Sequence, residues 1–445
     1  EAERAFNAAL TLAPEFHVAR YRLAHVQAAT GRTGTALESL NAIPQDAPLP
    51  DRERQLVEGA KKLFARDAEG AKAIYSELLE QYPYDVEVRH YLVLAYDVGY
   101  EDEAALAELH RLVQQEPEND RLWSFLGETY LRLGRHEKAR DALDRYRALK
   151  PRDPFGFTAL GQLELLTGHT DAAAGHFMHA LDIEADFARA RLGLAQTNAL
   201  QGRWSEAEER LRELIADEAA SMTDRIAAGL DLSALLQAGG RFQASLEPLV
   251  SLEPGIREES VREALALTER GLAHIELGST SVAGSLISQA IDRSPGVPTR
   301  YLFARGLLRL AQNDLAGVHA TAAEIRDLRR PAADDKRTED KAAAYLDGLA
   351  QLAAGDAPAA VATLRESLAI EGYQYALYRL GLARALLASG ELDEALALAR
   401  AARVEREAND IRLDLELERT RALLVEARIQ QARGDTDTAR ELAHA

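Results

Sequence analysis

The sequence contains no cysteine, which removes disulfides, thiolate nucleophiles and cysteine-ligated metals at once. Aromatic residues make up only 6% of the chain, and no apolar run approaches the roughly eighteen residues needed to span a bilayer. Direct membrane insertion is therefore not expected. Basic residues are the minority, 53 against 72 acidic, for a formal charge of −19. A nucleic-acid partner needs a concentrated basic footprint, and the balance here runs the other way. Arg326, Arg329 and Arg330 do cluster, but Asp334, Asp335, Glu339 and Asp340 follow them at once, which reads as a solvated, mixed-charge loop.

Motifs that carry chemistry are missing too. Neither a GxGxxG nor a GxxxxGK[ST] loop occurs to cradle phosphate, and GSTSVAGS (278–285) is a glycine-flanked turn and not a nucleophile elbow. His136 and Glu137 open what could become HExxH, but Arg140 stands at the second histidine position. His176 and His179, with His169 nearby, share a helix face. They fall short of the three or four ligands that zinc takes, so ordinary surface histidines are the expectation. Catalytic, cofactor-binding and metal sites are all predicted to be none, and the chain is expected not to be an enzyme.

What is abundant is Ala, Leu, Glu and Arg, a mixture that favours helix. Its punctuation repeats. GRTGTA (31–36), GRHEKA (134–139), GHTDAA (168–173), GRWSEA (202–207), GSTSVA (278–283), GDAPAA (355–360), GELDEA (390–395) and GDTDTA (434–439) each place Ala five residues after Gly. From Gly134 to Gly168 to Gly202 the step is 34 residues both times (168 − 134 and 202 − 168). The clearest unit, 120–153, carries Trp123, Leu126, Gly127, Tyr130, Gly134, Ala139, Leu143 and Pro151. Its large residues recur at three- and four-residue steps and share one helix face. Gly127 and Ala139 allow close helix approach, Gly134 suits a left-handed helix end, and Pro83, Pro117, Pro151 and Pro295 stop second helices.

This period and signature resemble the tetratricopeptide repeat family over nearly the whole chain. The resemblance implies an all-α fold, a right-handed superhelical solenoid of antiparallel helix pairs. Residues 1–16 match the second helix of a repeat whose first helix is missing, which leads us to expect a piece of a longer polypeptide. Repeats, about nine of them, are expected over 17–325, irregular near 41–51 and 253–263. A charged loop at 326–340 follows, and then further repeats over 341–445 with a long final first helix. Within 299–328 the match is poorest, because Asn313 replaces the usual Gly and Gly317 weakens the second helix. Residues 51–85 are similar to repeats found in large bacterial signalling proteins, where a repeat arm follows a regulatory or catalytic domain.

The family's first helices line a concave surface, and partner-binding residues are expected there. The lysine and asparagine clamp that captures chaperone tails is not matched, since His90, Leu94, Ser124, Glu128, Thr158, Gln162, Leu192 and Gln196 stand at the corresponding positions. The mixed surface formed by Arg121, Glu128, Arg132, Phe155, Gln162, Leu165, Leu166, Leu192, Gln196 and Leu200 suits a protein or peptide segment with apolar anchors. Tight coiling could instead bury the leucines between neighbouring first helices. The function implied is a protein-interaction scaffold or sensor arm. The alternatives are a self-association module, through Phe6 and Leu10 or the last long helix, and an unrecognised enzyme or metalloprotein.

Overall fold

The computed structural model describes all residues except 1, 30–31, 100, 257–259, 294–298, 329–337, 371–375, 405–413 and 445. Among the described residues every regular element is a helix, and none is long and apolar enough to cross a membrane. Two compact units divide the chain, Glu1–Leu163 and Glu164–Ala445.

The first unit holds α1 (Ala2–Leu12), α2 (His17–Ala29), α3 (Thr33–Asn41), α4 (Asp51–Phe64), α5 (Ala68–Gln81), α6 (Val86–Val98), α7 (Asp102–Gln115), α8 (Asp120–Arg132), α9 (His136–Leu149) and most of α10 (Pro154–Leu166). In the second unit come α11 (Thr170–Ile183), α12 (Ala188–Leu200), α13 (Trp204–Ala216), α14 (Met222–Ala238), α15 (Glu247–Ser251), α16 (Glu253–Ile256), α17 (Ser260–Glu276) and α18 (Thr280–Arg293). They are followed by α19 (Thr299–Ala311), α20 (Leu315–Arg326), α21 (Thr338–Ala353), α22 (Ala357–Ala369), α23 (Ala376–Ser389), α24 (Leu392–Val404), α25 (Asp414–Ala432) and α26 (Thr436–His444). Consecutive helices pack in pairs, α2 on α3, α4 on α5, α6 on α7 and α8 on α9, and likewise α12 on α13 through α25 on α26.

One turn geometry recurs between paired helices. Gly134 has φ 65°, its N–H donates to the Leu131 carbonyl at 3.0 Å, and the next N–H, of Arg135, reaches back to Tyr130 at 2.9 Å. That pair of hydrogen bonds satisfies carbonyls orphaned by the helix end. Gly168, Gly202, Gly240, Gly278, Gly355, Gly390 and Gly434 take the same left-handed backbone. Five residues after the turn, the side chain must fit between the two helices, so Ala139, Ala173, Ala207, Ala283, Ala360 and Ala395 are completely buried.

The repeat that looked poorest is regular. Asn313 adopts φ 59°, because a short polar side chain tolerates the left-handed region. Asp314 then caps α20, its Oδ1 accepting from the Gly317 N–H at 2.9 Å. Elsewhere the sequence departs from the pattern and the helices follow. Between α3 and α4, Ile43, Ala47 and Leu49 turn inward and are buried. After α14 the second helix breaks into a 3₁₀ turn and the short α15 and α16, where Pro248 and Pro254 forbid continuous helix. The Gly31 turn, most of the expected 326–340 loop and residues 405–413 ahead of the expected long final first helix lie outside the described residues.

Candidate partner-binding surface

The sequence-derived candidates fall on α8, α10 and α12, and burial sorts them sharply. On α8, Arg121 is exposed and Glu128 is half-buried. Arg121 has no ion-pair partner among the described residues. Arg132 differs: its Nε donates to Asp102 Oδ1 at 2.9 Å and its Nη2 lies 2.9 Å from Asp97. This guanidinium ties α8 to the end of α6 and the start of α7, so it is committed to the fold and is not a free cation for a partner. On α10, Phe155 lies edge-on to Tyr146 at 5.3 Å between ring centroids, and Gln162 is half-buried.

In the second unit two candidates are corrected. Leu165 is only 3% exposed, so it packs inside its helix layer and offers nothing to a partner. Gln196 is also buried, its Nε2 donating to Asp231 Oδ2 on α14 at 2.8 Å. The bond runs from one first helix to the next, the coiling that closes such a stripe. Leu166, Leu192 and Leu200 remain half-buried. Leu192, Gln196 and Leu200, spaced by four, share one face of α12.

An aromatic and histidine cluster on the first helices of the first unit was not among the candidates. His25 on α2 stacks on Tyr91 of α6 with centroids 4.6 Å apart, and meets Phe64 of α4 at 5.3 Å. His90 of α6 meets Phe125 of α8 edge-on at 5.8 Å. Charged groups surround the rings. Arg22 pairs with Glu87, and Arg52 bridges Asp85 at 2.7 Å and Glu87 at 3.0 Å. Burial works to raise Glu87, but hydrogen bonds and charge from Arg22 and Arg52 outweigh it and hold the carboxyl below its ordinary range. Burial, with the Arg22 charge second, depresses His25 to about 4. Burial, with Arg121 second, also lowers His90. Both imidazoles are thus held neutral at ordinary pH. The His25 Nε2 and Tyr75 hydroxyl are buried without a hydrogen-bond partner among the described residues. One signal was present in the sequence: Tyr91 and Phe125 are 34 residues apart (125 − 91) and so occupy equivalent repeat positions.

Among the described residues no group of three or more His, Asp or Glu is placed to hold a metal ion. His169 instead pairs with the buried Glu164, Nδ1 to Oε2 at 3.0 Å.

Sequence models of the tetratricopeptide repeat match residues 103–163 and 164–230, 345–410, and 17–42 and 420–445. The chain is a tetratricopeptide repeat protein. This repeat builds surfaces for protein–protein interaction, and the helix pairs, left-handed turns and buried alanines described above are its working parts. No curated protein matches the chain. Solved structures similar to it include a tetratricopeptide repeat protein from Parabacteroides merdae, at 16% identity over 67% of this chain and 98% of that one, with a TM-score of 0.39. PilF of Pseudomonas aeruginosa is 17% identical over 46% and 90%, with a TM-score of 0.37. Yeast Tom70 is 13% identical over 97% and 100%, with a TM-score of 0.43.

Proposed function

We propose that this tetratricopeptide repeat protein is a scaffold that holds a protein segment against the first helices of its first unit, α6, α8 and α10. The observation that carries this reading is Arg121. It is exposed, without an ion-pair partner among the described residues, on the helix that also bears the half-buried Phe125. A cation beside half-buried rings suits a segment with an apolar anchor and a neighbouring carboxylate. Glu128, Phe155 and Gln162 extend the same surface. The similarity of 51–85 to repeats of bacterial signalling proteins supports a role as the repeat arm of such a protein.

A photo-crosslinking residue at Gln162, followed by mass spectrometry, would capture the partner. Arg121→Glu should leave helicity unchanged and reduce capture several-fold, with the loss smaller at high salt. Undiminished capture by Arg121→Glu would move the interaction off this surface.

A second reading, self-association, is favoured by the N-terminal helix. No residue of α1 is buried, Leu12 is 89% exposed and Phe16 is 49% exposed. Sedimentation of wild type and Leu12→Glu across a concentration series tests it: a dimer abolished by the substitution supports the reading, and a monomer throughout removes it.

A further inference from the structure

The second unit makes a contact that a simple stack of neighbours does not. Its first helices touch in sequence, α14 to α17, α17 to α19, α19 to α21, α21 to α23 and α23 to α25, and α25 then packs back against α14. Repeat proteins ordinarily contact only the next repeat along. Two polar bonds pin this long-range seam. Thr420 Oγ1 on α25 donates to the Ala238 carbonyl at 3.2 Å, and Ala238 is the last residue of α14, where carbonyls lack intrahelical donors. Arg421 pairs with Glu276 at the end of α17. Between those ends the first helices pack on one another through rings: Phe303 of α19 stacks on Tyr345 of α21 at 5.9 Å, and Tyr345 meets Tyr378 of α23 at 5.1 Å. Tyr345 and Tyr378 are both buried.

We infer that α25 is an internal ligand of the second unit, docking on α14 and α17 and closing six first helices into a ring. On α14, the first-helix face that a partner could otherwise reach is covered by α25 of the same chain. A foreign segment reaches it only when the seam between α14 and α25 opens.

Because the sequence has no cysteine, the seam is open to a clean crosslinking test. The whole chain carrying Glu276→Cys and Arg421→Cys is treated with a short bismaleimide at low protein concentration. The expected result is a predominantly intramolecular link that disappears when the protein is denatured in urea before treatment. A yield no higher than in urea would overturn the proposal, and so would links formed mainly between molecules. Hydrogen exchange supplies a second reading that does not depend on crosslinker geometry. Arg421→Glu should speed exchange in α25 several-fold, and Glu276→Arg added to it should restore protection. Loss without restoration would mean that the Arg421–Glu276 pair does not hold the seam. Neither result bears on Arg121 and the first unit, so the two readings fail separately.

Discussion

Leu143 lies directly against the backbone of Gly127: a Cβ added to that glycine would sit 2.7 Å from Leu143 Cδ2 and 2.8 Å from its Cγ. The same arrangement recurs at Gly59 under Tyr75, Gly271 under Ile287 and Gly348 under Leu364. In these four pairs the second helix sends one large side chain into a notch that only glycine leaves open, and that contact locks the pair at close range.

Enlarging the small residue one helical turn before Leu143 should be costly. Ala139 is completely buried, so Ala139→Leu overpacks the interior of its repeat by about 1–3 kcal/mol. Since neighbouring repeats carry most of the coupling, the loss should concentrate in the adjoining helices. Hydrogen exchange resolved along the chain checks this: faster exchange in α8 and α9 is expected, with α23 and α24 unchanged.

Arg66 occupies the turn position that glycine fills elsewhere, with φ 60°. A left-handed backbone costs a residue with a Cβ roughly 1–2 kcal/mol, and the Arg66 side chain is exposed. Arg66→Gly should therefore stabilise the first unit by about 1 kcal/mol, offset in part by the greater freedom of glycine in the unfolded chain. Gly134→Ala should cost a similar amount. Thermal unfolding of the two variants beside wild type shows whether the midpoints move in opposite directions.

His25 makes the first unit sensitive to acid. Its folded value is about 4, against roughly 6.5 for an ordinary histidine. Between those values the unfolded chain binds the extra proton, so stability rises with pH through this window and falls as pH drops from 6.5 toward 4. The full difference corresponds to at most roughly 3 kcal/mol. His25→Phe keeps a ring against Tyr21, Phe64 and Tyr91 while removing the titration. Its stability should be close to wild type at pH 7.5 and should exceed it increasingly below about pH 6. Parallel curves for the two proteins would show that His25 is not the titrating group.

Much of this architecture was legible because it is local. The glycine five residues before alanine marks a turn and a buried contact within one repeat, and Asn313 kept the rule by a different residue with the same backbone tolerance. Arg66 and Gly240 escaped for opposite reasons. At 66 a non-glycine residue takes the left-handed position although Ala71 follows five residues on, while after Gly240 the buried small residue is Ser245 rather than Ala. The surface was less legible. A residue's repeat position gives its helix face, but whether that face is open depends on how closely first helices approach, as Gln196 reaching Asp231 shows. The return of α25 to α14 joins residues 182 positions apart, and a contact of that span leaves no periodic mark.

The leucines of the sequence-derived stripe give the last prediction, because they separate burial from accessibility within one short segment. Leu165 is 3% exposed, whereas Leu200 is half-buried at the end of α12. A carboxylate forced onto the first must either lose its hydration or drag α10 out of register, and large effects follow when a charge is buried without a partner. Leu165→Glu should thus cost about 3 kcal/mol or more. Leu200→Glu keeps contact with water and should cost about 1 kcal/mol or less. Urea unfolding followed by circular dichroism, run on each single variant, distinguishes them. If Leu165→Glu unfolds at the wild-type midpoint, the side chain sits at the surface and returns to the set of partner-facing residues. If both variants are equally destabilised, the α12 face is as closed as the α10 face, and a partner of this protein would find its apolar contacts only in the first unit.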